Sequence, residues 1–141
     1  LDSETQGIKL ELTEEVTDIP LDVRQIESVL ENLIDNAIRY ATGFSVITIR
    51  SFLDENKDKL LFEIEDDGCG IPENDLPRIF ERFYRVDKGR SRESGGTGLG
   101  LSIVRNAISL HGGEVKVRSE VSKGTTFSFS LSRRLKIVTQ L

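Results

Sequence analysis

The sequence is poorest in the residues that build covalent and metal-held frameworks. Its 141 residues include one cysteine, Cys69, and one histidine, His111. A single thiol forms no internal disulfide and no cysteine-built zinc site, and this usage fits a reducing compartment. A single histidine excludes a two-histidine metal centre and leaves any serine–histidine triad resting on one residue. No apolar run approaches the length that spans a bilayer, and no secretory pattern opens the chain. No long basic run is present either: 19 Lys and Arg stand against 24 Asp and Glu, a net charge of −5. That balance argues against nucleic acid as a partner and against direct contact with an anionic membrane. There is no internal repeat and no low-complexity segment. With 37% hydrophobic residues, a chain of this length buries roughly two-thirds of its unfolded surface without staples. The expectation is one soluble globular domain.

What is present is periodicity. Ile8, Leu10 and Leu12 alternate with Lys9 and Glu11, the pattern of a short, half-buried strand. After Pro20 a helix is predicted over 22–40, with Asp22 as its N-cap. Ile26, Val29, Leu30, Leu33, Ile34, Ala37 and Ile38 form its apolar stripe, and Gly43 breaks it. Strands are predicted over 45–53 and 60–65, with a hairpin turn at 54–59. A loop at 66–72 precedes a short helix over 75–83. Residues 86–97 carry almost nothing apolar and read as a mobile surface segment. A second strong helix, over 99–110, is stopped by Gly112 and Gly113. Strands over 114–119 and 125–131, turned at 122–124, close the pattern, and 132–141 is less regular. Hairpins with intervening helices favour a two-layer α+β sandwich over a doubly wound parallel sheet.

Four constellations carry chemistry. Asn32 and Asn36, at i and i+4, share a helix face with Arg39 beside them, while Tyr40 lies toward the apolar stripe. Amide oxygens suit a hard cation such as magnesium and a guanidinium suits a phosphate. The same pair also fits amides that face water or cap a loop. Asp66-Asp67-Gly68-Cys69-Gly70 follows a strand, where a carboxylate can accept from an exocyclic amine and glycines let the backbone approach a ligand. An ordinary Asp/Gly turn has the same composition. Gly95-Gly96-Thr97-Gly98-Leu99-Gly100-Leu101 runs into a helix, an arrangement that presents free N–H groups to an anion. It is not a Walker loop, because Leu101 holds the lysine position, nor a dinucleotide fingerprint, because Ile103 holds a glycine position. Lys88, Arg90 and Arg92 in 86–97 suit a lid over phosphates, and equally a solvated loop. His111, at a helix C-terminus where the dipole favours a cation, reads as structural, Cys69 as a turn residue and Pro72 as a helix start.

In this order and spacing, over residues 8–131, the segments resemble the catalytic, ATP-binding domain of sensor histidine kinases. That domain is a branch of the superfamily shared with gyrase and the heat-shock chaperone ATPases. Glu31-Asn32-Leu33-Ile34-Asp35-Asn36-Ala37-Ile38-Arg39-Tyr40 resembles the asparagine box and Asp66-Asp67-Gly68-Cys69-Gly70-Ile71 the first glycine box. Ile79-Phe80-Glu81-Arg82-Phe83-Tyr84-Arg85 resembles the phenylalanine box and Gly96-Thr97-Gly98-Leu99-Gly100-Leu101 the second glycine box. Lys123-Gly124-Thr125-Thr126-Phe127 resembles the closing glycine–threonine signature.

The resemblance implies a Bergerat-type α+β fold, a mixed sheet of about five strands with three helices on one face. It implies that Asp66 bonds the adenine amine, that Asn36 ligates magnesium with Asn32 beside it, and that Arg39 and Tyr40 face phosphates or ribose. Arg85 then contacts the γ-phosphate, with Asn32 and Arg85 as the catalytic pair. Gly96, Gly98, Leu99 and Gly100 meet phosphates through backbone N–H groups, and 86–97 is the ATP lid. Gly68, Gly70, Ile71, Lys88, Thr97, Leu101 and Thr125 complete the nucleotide site. Phe80 and Phe83 are packing residues. Asp67 stands where asparagine is usual and Arg39 where lysine is more usual. Asn32 stands where the water-activating branch has glutamate, with Glu31 one step away, which agrees with transfer to a protein.

No Ser-His-Glu-Leu-Arg-like phosphoacceptor segment is present, so the implied reaction passes the γ-phosphoryl of Mg·ATP to a histidine of a separate dimerisation and phosphoacceptor domain. The expectation is a catalytic domain over 1–134 and a tail over 135–141, taken from a larger, membrane-bound sensor on its cytoplasmic side. It would be monomeric by itself, with ATP and ADP as ligands and a response regulator as partner of the parent. The competing readings are an ATP-hydrolysing switch of the gyrase or chaperone type and a nucleotide-dependent interaction module.

Overall fold

A computed structural model of the chain describes residues 7–13, 19, 21–40, 43, 46–55, 58–84 and 100–132, with Arg39 and Tyr40 described by their backbone alone. The expected surface segment at 86–97 and the stretch beyond Ser132 lie outside the described residues.

The first helix starts where its cap allows. The Asp22 carboxylate accepts the Gln25 N–H at 3.1 Å and opens α1 (Val23–Tyr40), satisfying an amide that has no partner within the helix. The strands are β1 (Gly7–Glu11), β2 (Val46–Leu53), β3 (Lys59–Asp66), β4 (Val115–Glu120) and β5 (Gly124–Ser132). A second helix, α2 (Gly100–Leu110), precedes β4. It ends on Gly112 at φ +73°, with the Gly113 N–H reaching back to the Ile108 carbonyl at 3.0 Å and the Gly112 N–H to Ser109 at 2.9 Å. That left-handed ending consumes two carbonyls the helix leaves unpaired.

The sheet runs β1-β2-β3-β5-β4. Only the β1–β2 pairing is parallel, because α1 returns the chain to the same end; the other three pairings are antiparallel. This is the mixed, two-layer α+β sandwich expected. Strand parity sends Ile47, Ile49, Ile64, Phe127, Phe129 and Leu131 into one face, where they meet Val29 and Leu33 of α1 and Val104 and Ile108 of α2. Each such buried side chain contributes about 1.5–3 kcal/mol. Phe62 stacks on Phe129 with ring centroids 4.9 Å apart.

Two expectations are corrected. Residues 75–83 do not form a helix: one 3-10 turn at Leu76–Arg78 is followed by further tight turns. Every backbone bond here spans three residues, Arg78 to Asp75, Glu81 to Arg78 and Tyr84 to Glu81. Pro77 lies in the first turn, where its missing N–H has no helical partner to lose, and the turns that follow it close through i−3 bonds alone. The described residues therefore hold two α-helices, not three. Likewise β1 is not half-buried, for all five residues are exposed, Ile8 at 54% and Leu10 at 61%. As an edge strand it has one neighbour, and its alternation reports apolar character rather than burial.

His111 is structural, as expected, but through hydrogen bonds rather than charge on the helix dipole. It is 2% exposed. Its Nδ1 donates to the Ala107 carbonyl at 2.8 Å, and its Nε2 accepts the Asp22 N–H at 2.8 Å. One ring thus joins the end of α2 to the start of α1. His111→Ala should lower the unfolding free energy by about 2–4 kcal/mol through two lost bonds and a cavity, read as the shift of the urea midpoint.

Candidate functional site

The site begins at the end of β3. Asp66 is its last residue and is 7% exposed. One carboxylate oxygen accepts the Gly68 N–H at 2.9 Å, and the Thr125 amide also bonds the carboxylate. Burial pushes its carboxyl above the usual aspartate value; the two amides oppose that shift, and Asp67 and Glu65 reinforce it. A carboxylate held this way lacks a full complement of donors, so a ligand N–H placed beside it is favoured.

The loop that follows is clamped to the β4–β5 hairpin. Gly70 turns at φ +80°, and a Cβ there would collide with the Glu120 carbonyl. The Ile71 N–H donates to Ser119 Oγ at 2.7 Å, and the Ser122 N–H to the Cys69 carbonyl at 2.8 Å. From the other side, Gly124 adopts φ +126° with its Cα against the Asp66 backbone. Asp67 accepts the Val46 N–H at 3.1 Å and so ties the loop to the start of β2. On the sheet face away from the helices, an open cleft of about 320 Å³ lies over Glu65, Thr126 and Arg118, with Glu120 and Lys123 beside them. On the helix side, sheet register sets Ser119 opposite Thr125, Thr125 opposite Asp66, and Asp66 opposite Ile47, in one row.

The helices supply the second half. Asn32 Nδ2 donates to the Ser28 carbonyl at 2.8 Å and to Ser28 Oγ at 3.3 Å. Its Oδ1 is left facing the first residue of α2, where a Cβ on Gly100 would stand 2.8 Å away. A side chain at position 100 would displace that amide oxygen, whereas glycine leaves it in place. Asn36 lies one turn further along α1 and is half-buried, whereas Glu31 is exposed. Leu101 and Ile71 both pack against the core.

The structure thus brings together Asp66, Gly68, Gly70, Ile71 and Thr125, and separately Asn32 with Gly100. The side chains of Arg39 and Tyr40, and all of Arg85, Lys88, Gly96, Thr97, Gly98 and Leu99, lie outside the described residues. In the turns before them, the Tyr84 hydroxyl donates to the Asp75 carboxylate, and Arg78 sits 4.5 Å above the Tyr84 ring while pairing with Glu81 at 3.2 Å. The bond to Asp75 raises the Tyr84 phenol above its usual range. Phe80 packs edge-on against Phe127 at 6.2 Å, as expected of a packing residue. Phe83 does not: it is 64% exposed, at φ +68°.

Sequence reasoning missed Ser119. A signal for it exists: in Val115, Val117, Ser119 the inward-facing positions alternate, and the third is polar where the pattern asks for an apolar residue. Its partners were unreadable, because they depend on which strand lies next to β4.

Residues 21–135 match the family model described as histidine kinase-, DNA gyrase B-, and HSP90-like ATPase, and the chain belongs to that family. Within it, the chain is similar to sensor histidine kinases. The Staphylococcus aureus signal transduction histidine-protein kinase ArlS is 49% identical over 117 residues, 83% of this chain and 26% of that protein. This chain therefore spans about a quarter of the length of the curated relatives it matches. The catalytic domain of histidine kinase ThkA superposes with a TM-score of 0.74 at 31% identity, over 92% of this chain and 81% of that one. The mycobacterial sensor histidine kinase MprB gives 0.71 at 28% identity, over 92% and 86%. The chain is accordingly a histidine-kinase ATP-binding domain.

Because Asp66 holds a proton more readily folded than unfolded, it subtracts stability as pH rises from the ordinary aspartate value of 3.8 through its raised value. Asp66→Asn removes that dependence. Melting curves from pH 3 upward should show the variant gaining on the native domain through that window and then holding its gain. Parallel curves would contradict the burial argument.

Proposed function

We propose that this domain transfers the γ-phosphoryl of Mg·ATP to a histidine on a separate dimerisation and phosphoacceptor domain. The observation that carries the reading is at the start of α2: Asn32, an amide, faces Gly100, while the carboxylate of Glu31 is exposed. A base that activates water is absent from that position, so the geometry favours a protein acceptor over hydrolysis.

The residues fit the ligands this requires. Asp66 accepts from the adenine amine, helped by its shortage of donors. The N-terminus of α2 at Gly100 presents amides to a phosphate. Among the described residues no three His, Cys, Asp or Glu side chains converge on a metal site. Magnesium would be held instead by the hard amide oxygen of Asn36 together with phosphates and water. It would supply neutralisation of phosphate charge. Asn32 positions that end of the site, and Arg85, by family resemblance, meets the γ-phosphate. Arg39, Tyr40, Lys88, Gly96, Thr97, Gly98, Leu99 and Leu101 would complete the phosphate and ribose contacts, with 86–97 as the lid.

The module extends over 1–134, with 135–141 as a tail. It is a monomer by itself and works on the cytoplasmic side of a membrane-bound sensor that passes its phosphoryl group to a response regulator. Among the described residues no helix is long and apolar enough to cross a membrane.

Calorimetric titration of Mg·ATP tests the site. Asp66→Asn should weaken binding by about 10- to 100-fold, and Asn36→Ala should make the remaining affinity indifferent to magnesium. Adding an isolated phosphoacceptor domain and labelled ATP should give acid-labile, base-stable label on histidine. ATP binding without that label would sink the transfer reading.

A further inference from the structure

Phe83 holds φ +68°, in the left-handed region that a bulky side chain rarely occupies. Such a conformation persists only where the surroundings hold it there. The Phe83 ring does not supply that hold, for it is 64% exposed. The restraint lies on either side of it. Before it, Ile79 is buried and Phe80 packs edge-on against Phe127. After it, Tyr84 is held at three points. Its N–H donates to the Glu81 carbonyl at 3.2 Å, its ring lies 4.5 Å from the Arg78 guanidinium, and its hydroxyl donates to the Asp75 carboxylate.

Asp75 is a fixed point for that last bond. Its N–H donates to the Pro72 carbonyl at 2.9 Å, and its own carbonyl accepts the Arg78 N–H at 2.9 Å. The phenol therefore reaches back nine residues to backbone that the turns have already set. A return of Phe83 to negative φ would swing the Tyr84 backbone and pull its hydroxyl from Asp75, so the bond opposes relaxation of the strained residue. A carboxylate acceptor suits that task, since it makes the bond roughly twice as strong as a neutral partner would. We propose that Asp75 is a positioning residue: through the Tyr84 hydroxyl it locks Phe83 in its left-handed conformation and so fixes the backbone heading from which Arg85, the next residue along the chain, follows. This inference rests on the transfer reading above, in which Arg85 meets the γ-phosphate. A cation that must meet a phosphoryl group in transit is sensitive to small misplacement. Asp75 acts through Tyr84 rather than on the nucleotide.

The test follows label passing from Mg·ATP to an isolated phosphoacceptor domain, with ADP affinity measured alongside. ADP lacks the γ-phosphate, so its binding reports the rest of the site. Tyr84→Phe keeps the ring beside Arg78 and removes the hydroxyl alone. It should lower the transfer rate at saturating ATP about tenfold and leave ADP affinity unchanged. Asp75→Ala should match it, whereas Asp75→Asn, whose amide oxygen still accepts a hydrogen bond, should keep most of the rate. Asp75→Ala and Tyr84→Phe together should be no slower than either alone, because they break the same bond. Asparagine tolerates left-handed backbone, so in a Phe83→Asn background the loss of the Tyr84 hydroxyl should cost less. Unchanged transfer in Tyr84→Phe overturns the proposal. So do additive losses in the double variant, or ADP binding and transfer falling in parallel, the mark of a merely structural bond. If Asp75→Ala does not fold, Tyr84→Phe and Asp75→Asn carry the same comparison. A native domain that binds ADP yet labels no histidine would instead remove the transfer reading itself, a different and separately visible failure.

Discussion

A carboxyl group at 7% exposure destabilises a fold unless amide donors meet it, and Asp66 finds its donors at Gly68 and Thr125. The Thr125 amide is in reach only because β5 inserts between β3 and β4. Much of the remaining architecture follows from that insertion. It puts the hairpin of β4 and β5 beside the glycine loop, makes Ser119 a neighbour of Ile71, and forces glycine at 70 and 124, where two backbones come too close for a Cβ. The burial that destabilises Asp66 is also what makes it hungry for a ligand donor. On the proposed reading, stability and binding pull on this residue in opposite directions, a common arrangement at functional sites.

The helix layer works by the same close approach. α1 and α2 share the core through Val29, Leu33, Val104 and Ile108, and His111 fastens the end of one to the start of the other. That packing holds the first turn of α2 against Asn32, with no side chain at Gly100 to intervene. On the proposed reading, an amide at this position, rather than a carboxylate, favours transfer to a protein over activation of water. The distinction rests on which of two adjacent residues, Glu31 or Asn32, the helix turns inward.

Some of this was legible in the linear order of residues. The stripe from Ile26 to Ala37 announces α1, and Asp22 caps it as its residue type predicts, because both signals are local. Alternation in 45–53, 60–65 and 125–131 announces strands for the same reason. Local signals also misled. Residues 75–83 read as a short helix, yet their backbone bonds span three residues and tight turns result. Ile8 and Leu10 alternate as a half-buried strand would, yet an edge position leaves them exposed. The second miss is not visible from composition, since burial depends on what lies across the strand.

Taken by itself, the sequence determined the elements, their caps and the family's motifs, because capping, periodicity and glycine content act over a few residues. It also singled out Asp66 and the asparagines of α1 as the candidates for binding chemistry. Only the tertiary structure decided that Ser119 meets Thr125, that Thr125 meets Asp66, that Asn32 meets Gly100, and that His111 joins two helices. Those pairs lie between 6 and 89 residues apart in the chain. Strand order and helix packing bring them together, and both are set by burial of a shared core rather than by any residue's own preference.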